Sequence, residues 1–306
     1  MIRLSPVRRH SLTVTMLVAV TLAVGVVVRK PAQAQGREGV LRVATYNIHK
    51  GADGDDHYDL RRTIEAIASF DADIVGLQEV MRNDPSFNCD DQPGLIAEGL
   101  TRLTQRKWTF VYGKSWVSEN HECMDRGRGD GPGTEGVVLF TPQQVMEADS
   151  IKLVESRVGV EARLASMPDV PIVTTHLAAG RRFQEHRIEQ IGALLPWMEA
   201  KGAGIFLGDL NSRPFATELT PLMARYRDAW LEGSERGLSK GDLTCCTTRP
   251  AGMARIDYIF YDPTSPLQLE SVEIRETATE GLGEVSDHRP VIATFRRAPS
   301  LASAAQ

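Results

Sequence analysis

Short β-rich runs alternate with amphipathic helical stretches along the chain, the pattern of a layered α/β domain. Strands are predicted at Val40–Tyr46 and Asp73–Gln78, with Leu60, Ile64, Ile67 and Ala68 at helical spacing between them. A helix around Gly94–Gln105 leads into a strand at Trp108–Tyr112. The Gly-, Asp- and Arg-rich stretch Ser118–Thr134 then interrupts the alternation, long enough to suggest a function or a flexible rim. Further strands follow at Glu135–Phe140, Val145–Val154, Val158–Leu164 and Pro171–His176, then a helix over Gln184–Ala200 and a buried-type strand at Gly204–Leu207. The last third supplies strands at Arg255–Tyr261, Gln268–Arg275 and His288–Phe295. Hairpin-like strands mixed with crossover helices fit two packed sheets better than one parallel sheet.

The first 34 residues stand apart from this pattern. Arg3, Arg8 and Arg9 precede an uncharged apolar run, Ser11–Val28, and then Ala32-Gln33-Ala34, which reads as an export signal cleaved after Ala34. Arg8-Arg9 also fits a twin-arginine signal. The alternative is an uncleaved membrane anchor, because 18 uncharged residues just reach spanning length. Either way the body is expected outside the cytoplasm, periplasmic or secreted. Residues 35–297 then form one domain and 298–306 a disordered tail.

Composition narrows the class further. The 306 residues are 42% hydrophobic and 25% charged, enough to bury a sizeable core and unlike a disordered or fibrous chain. The segment before residue 35 carries five basic and no acidic residues, so its removal takes the formal net charge from −5 to −10. An acidic body has no general electrostatic pull towards nucleic acid or anionic lipid, although a local basic groove remains compatible with it. In an oxidising compartment Cys89, Cys123, Cys245 and Cys246 point to disulfides. Cys89–Cys123 is the first pairing to expect; Cys245-Cys246 would form a bridge between neighbours or each bond one of the others. Their spacing matches no zinc or CxxC motif.

The candidate chemistry lies where apolar strands run out. Asn47 ends one strand and Glu79 another, and His176, Asp209 with Asn211, Asp257, and Asp287 with His288 stand at similar places. Strand ends on a rigid sheet hold catalytic side chains with precision. Each residue alone has a plainer reading: Asn47 as a turn former, Glu79 as a surface carboxylate, His176 as a structural histidine, Asp209 as a helix cap, and Asp257 as partner of Arg255 or Arg289. Their recurrence favours a common site. Glu and Asn offer hard oxygen ligands for Mg²⁺ or Mn²⁺, and histidines with aspartates but no serine-nucleophile elbow favour metal-assisted attack by water on a phosphoryl centre.

At these residues the sequence resembles the endonuclease/exonuclease/phosphatase superfamily. The matching strings are Val43–Ile48, Asp73–Val80, Thr175-His176-Leu177, Gly208–Ser212, Arg255–Ile259 and Ser286–Val291, in the family's order. The resemblance implies a four-layer α/β/β/α sandwich, with two packed mixed β-sheets and the active site at one edge. It implies Glu79 as the main Mg²⁺ ligand with Asn47 beside it and Asp287 near the metal. It further implies Asp209 as the residue that orients or deprotonates water, with Asn211 positioning it. His288 would contact the phosphate or move a proton, oriented by Asp257, and His176 would stabilise the transition state or protonate the leaving oxygen. Arg187, in a stretch like the family's Arg-x-x-Gln helix, and His49 are candidate substrate contacts; for Arg187 a supporting role outside the site is the alternative, and for His49 an exposed loop position.

The expected activity is therefore that of a monomeric, exported, Mg²⁺-dependent phosphoesterase, nuclease-like, acting on nucleic acid, a phospholipid or sphingomyelin headgroup, or a small phosphate ester. A lipid substrate would call for an apolar lip near the site, for which Trp116 and Val117 are the candidates, against placement in the core or rim. A catalytically inactive binding module is the alternative of another class, and it predicts erosion of the site residues.

Overall fold

The computed structural model describes residues 39–202, 204–241, 245–248, 254–278 and 283–298. The predicted export signal, residues 1–34, lies outside them, as does the tail from 299 onward. In chain order the elements are β1 (Val40–Asn47), α1 (Leu60–Ser69), β2 (Ile74–Arg82), α2 (Gln92–Thr104), β3 (Thr109–Val117), α3 (Glu122–Asp125), β4 (Thr134–Thr141), β5 (Val145–Leu153), β6 (Arg157–Leu164) and β7 (Met167–His176). They continue with α4 (Gln184–Lys201), β8 (Ile205–Asp209), α5 (Thr220–Met223), β9 (Arg227–Asp228), α6 (Ala229–Glu235), β10 (Ser239–Lys240), β11 (Asp257–Tyr261), β12 (Leu267–Ile274) and β13 (Val291–Arg297).

Alternation with period two decides which way each side chain faces. In β1, Leu41 and Val43 enter the apolar interior shared with the second sheet, while Ala44 and Tyr46 pack towards α1 and α2. Both faces are covered, which is why apolar residues occupy both faces of the strand. The strands form a seven-stranded sheet, β10-β12-β13-β1-β2-β4-β3, and a six-stranded one, β5-β6-β7-β8-β11-β9. Leu60, Ile64 and Ile67 of α1, capped by Asp59, cover the outer face of the first sheet, and α4 covers the second with Ile191, Leu194, Leu195 and Met198. The result is a four-layer α/β/β/α sandwich. Its sheets approach closely at Gly76, where a Cβ would stand 2.2 Å from Leu207 Cδ1.

Each sheet contains a parallel pair joined by a crossover helix, and this fixes the position of the site. β1–α1–β2 pairs Asn47 with Gln78, and β7–α4–β8 pairs His176 with Asp209. Parallel strands end together, so all these polar termini collect at one end of the sandwich. β11 runs antiparallel to β8 and enters at the same end, with Asp257 opposite Asp209.

Several boundaries differ from the sequence expectation for identifiable reasons. β2 continues past Gln78 to Arg82 through a register shift between Leu77 and Val80. β13 begins at Val291 rather than His288, since the His288 N–H donates to Ser286 Oγ and Pro290 has none to give to a ladder. The short α6, capped by Asp228, lacks a periodic apolar pattern long enough to read in advance. The stretch 118–133 holds the one-turn α3 and is tied by the Cys89–Cys123 disulfide to the segment after β2. Cys245 and Cys246 are bonded to each other.

Gly208 sits between Leu207 and Asp209 with φ +147°, and a Cβ there would lie 2.1 Å from the Thr175 carbonyl oxygen. We expect Gly208→Ala to cost about 1–3 kcal/mol by pushing β7 from β8, read as a lower urea midpoint; an unchanged midpoint would show that the two strands can separate freely.

Candidate active site

The strand faces that line the interior carry polar residues at this one end. Along β1 the interior series Leu41, Val43, Thr45 ends in Asn47; along β8, Ile205 and Leu207 lead to Asp209; along β7, Ile172 and Thr174 lead to His176; and β11 begins with Asp257 before Ile259. The apolar interior is thereby closed by a polar plug. Glu79 breaks the rule, because period two would send it with Val75 and Leu77 towards the helices. A β-bulge with φ +56° at Glu79 turns its carboxylate into the cluster instead.

Asn47 joins the two sheets. Its Nδ2 donates to Glu79 Oε1 at 3.0 Å and to Asp209 Oδ2 at 3.1 Å, while its oxygen accepts from the His49 backbone N–H at 3.0 Å. Asp209 Oδ1 accepts from the Asn211 N–H at 2.9 Å. His176 Nε2 and His288 Nε2 stand 3.5 and 3.8 Å from Asp209 Oδ2. His288 Nδ1 donates to Asp257 Oδ2 at 2.8 Å, and Asp257 Oδ1 is buried with no hydrogen-bond partner among the described residues. Ser286 Oγ donates to the Asn47 carbonyl at 2.8 Å, which fixes the segment carrying His288 to the end of β1.

The two imidazoles are held in opposite charge states. Burial and then the Asp257 carboxylate push Asp209 up to about 7, opposed by the His288 charge. His288 is itself penalised by burial, but Asp257, through charge and hydrogen bond, with Asp209 behind it, raises its pKa to about 10. His176 is pushed well below its ordinary value by burial, with the Arg157 and His288 cations adding to the effect. Arg157 Nη1 donates to His176 Nδ1 at 3.1 Å, so the neutral ring carries its proton on Nε2, facing Asp209 Oδ2 at 3.5 Å.

Asn47, Glu79, His176, Asp209, Asn211, Asp257 and His288 are thus brought together. His49 and Asp287 lie at the rim with Nδ1 and Oδ1 3.9 Å apart, and His49 is also engaged by the Asp53 carbonyl. Arg187 does not join them and is corrected from a substrate contact to a support: it is buried, donating to Glu218 Oε1 and to the carbonyls of Ala178 and Gly180. Gln190 accepts from the Ala178 N–H, so the Arg-x-x-Gln pair braces the loop after His176 from behind. Asp257 pairs with neither Arg255, which binds Asp228, nor Arg289, which binds Glu276.

Sequence reading passed over Arg157 and Glu135. Glu135 lies 3.7 Å from Arg157, and burial together with the Glu79 charge raises its pKa. Both sit at strand starts in otherwise apolar runs, which is the signal that was available. Lys50 follows from a strained turn: His49, Lys50 and Gly51 have φ of 46°, 60° and 78°, pinned by Gln92 Nε2 donating to the Lys50 carbonyl, and Lys50 Nζ rests 3.9 Å from Glu79.

The chain belongs to the endonuclease/exonuclease/phosphatase family, whose model matches residues 44–288. Solved structures agree in fold. An endonuclease/exonuclease/phosphatase protein from Beutenbergia cavernae is 23% identical over 85% of this chain and 72% of its own, with a TM-score of 0.65. The human Nocturnin catalytic domain with bound sulfate is 22% identical over 88% and 99%, with a TM-score of 0.61. The Bacteroides thetaiotaomicron mannosyl-6-phosphatase is 16% identical over 83% and 99%, with a TM-score of 0.60. No curated protein matches the chain. Members of the family hydrolyse phosphate esters and generally depend on a divalent metal, and this chain is such a hydrolase.

Asp209 and His288 both bind protons more tightly folded than unfolded, so each stabilises the fold fully below its ordinary value and loses that contribution as pH rises through about 7 and about 10 respectively. Over pH 4 to 7 His176, its proton affinity lowered, contributes in the opposite sense, so metal-free protein should lose urea resistance with rising pH relative to Asp209→Asn, which lacks the Asp209 slope. A slope that survives the substitution would place it on another buried carboxylate.

Proposed function

We propose that the protein is an exported, Mg²⁺-dependent phosphoesterase that cleaves a P–O bond by direct attack of water, with nucleic acid as the leading substrate class. The observation that carries this reading is one buried carboxylate, Asp209, set between a neutral imidazole and a cationic one. The donor set fits a hard cation: carboxylate oxygens of Glu79 and Asp209 converge on the single Asn47 amide nitrogen, and Asp287 stands at the rim, 3.9 Å from His49. Glu79, Asn47 and Asp287 would hold Mg²⁺, or Mn²⁺, and the Asn47 oxygen would have to turn from the His49 N–H to join in. The ion would supply positive charge against the negative charge developing on the phosphoryl oxygens.

The chain's own groups divide the rest of the work. Asp209, with its proton affinity raised towards neutrality, takes the proton of the attacking water, and Asn211 holds the carboxylate in orientation. His176 donates from Nε2 to a phosphoryl oxygen, a direction set by Arg157 at Nδ1. His288, kept protonated by Asp257, supplies a cation and a proton for the leaving oxygen. Export rests on the pattern of residues 1–34.

A second reading, a phospholipid or sphingomyelin headgroup as substrate, is favoured by one observation. Trp116 and Val117 are 44% and 45% exposed and so stand outside the core. They end β3 opposite Glu135 and Thr134, at the same end of the sheet as Glu79.

Purified protein should nick supercoiled plasmid with Mg²⁺ and lose the activity in EDTA. His288→Ala and Asp209→Ala should each lower turnover by at least ~10² with the fold intact, and Glu79→Gln should weaken metal affinity. Full turnover in both Ala variants would refute the assignment. Absence of nicking, with hydrolysis of phospholipid vesicles that Trp116→Ala reduces, would establish the second reading.

A further inference from the structure

Residues 245–248 lie between the two segments that carry Asp257 and His288. Thr247 Oγ1 accepts the backbone N–H groups of Ile256 at 3.1 Å and Asp257 at 3.2 Å. Its carbonyl accepts the Arg289 N–H at 2.6 Å, and Thr248 forms an isolated β-bridge with His288. The Arg289 side chain closes the arrangement by donating to the carbonyls of Cys246 at 3.4 Å and Thr248 at 3.3 Å. A single threonine therefore ties the entry of β11 to the segment that precedes β13, and with them the two partners of the Asp257–His288 bond.

The two residues before Thr247 are Cys245 and Cys246, joined to each other. A bond between neighbours encloses no intervening chain, so it removes little entropy from the unfolded state, whereas Cys89–Cys123 closes a loop across 34 positions. Its effect must be local. Cys246 has φ +77°, a conformation that favours glycine, and the next residue is Thr247. The cross-link limits the turn at this point and so sets the direction in which Thr247 leaves it. Access is unequal as well: Cys245 is exposed, while both sulfur-bearing residues of the other disulfide are buried.

We propose that the Cys245–Cys246 disulfide is a positioning device for the Asp257–His288 pair, acting through Thr247, so that turnover depends on its being oxidised. The inference rests on the phosphoesterase reading above. Reduction by a dithiol such as dithiothreitol balances simply. One thiolate attacks the exposed Cys245 sulfur and expels the Cys246 thiolate, leaving a mixed disulfide; the second thiolate attacks the dithiol's own sulfur in that bond, expels the Cys245 thiolate and closes the oxidised dithiol into a ring. Two electrons pass to the protein, which takes up two protons to leave Cys245 and Cys246 as thiols.

The test compares Cys245→Ser/Cys246→Ser with Cys245→Ser/Cys246→Gly, since glycine adopts the left-handed turn without a cross-link. We expect the double serine variant to lose at least about tenfold in kcat with KM within about twofold, because small displacements of a catalytic pair cost rate rather than binding. Its urea midpoint should stay close to that of the unaltered protein, and the low-field proton resonance of His288 Nδ1–H should shift or vanish. The glycine variant should recover part of both, and dithiothreitol should reproduce the loss reversibly in the unaltered protein. The proposal is overturned by a double serine variant with unaltered kcat and resonance, by a loss of kcat matched by a lowered urea midpoint, or by alkylation of Cys245 and Cys246 in untreated protein. If the unaltered protein hydrolyses no phosphate ester, the functional reading fails. The resonance still decides the positioning role: its persistence in the double serine variant overturns that role, and its loss supports it.

Discussion

Two carboxylates, Asp209 and Asp257, are buried opposite each other where the interior of the sandwich meets solvent. Burying one unpaired carboxylate is costly, and a second like charge raises the cost. The surrounding structure answers this expense. His288 stays protonated against Asp257, Asn47 and the Asn211 N–H donate to Asp209, and Asp209 itself binds a proton up to near neutrality. Remove the apolar interior behind them and Asp209 becomes an ordinary surface aspartate, without the raised proton affinity that the chemistry uses.

The same interior explains why the site needs both sheets. Glu79 and Asn47 come from the first, His176, Asp209 and Asp257 from the second, and the Asn47 side chain hydrogen-bonds across between them. The parallel pair in each sheet brings two strand ends to one level. The helices needed to connect those pairs then cover the outer faces, so that the architecture and the location of the chemistry have one cause. Arg187, Gln190 and Glu218 belong to this scaffold: they hold the loop after His176 from the side away from the opening.

Much of this was legible in the order of residues. Period-two runs marked the strands to within a few positions, and the polar residues at their ends named the cluster. What escaped the pattern did so where local geometry overrides it. A bulge reverses the direction of Glu79, which sequence periodicity alone would send to the helices. Arg157 and Glu135 are separated by a hairpin and a sheet partner and become neighbours only through packing. Arg187 carries the charge of a phosphate ligand, yet its place on the inner face of α4 commits its donors to Glu218 and two carbonyls.

By itself the sequence determined the layered α/β class, the family and the identity of the groups that can do chemistry, because side-chain type and strand periodicity are written locally. Tertiary structure decided the charge states of His176 and His288, the partner of Asp257 and the exposure of Trp116. Each of these depends on distances between residues far apart in the chain, or on the burial that packing creates, and neither quantity exists before the sheets close on one another.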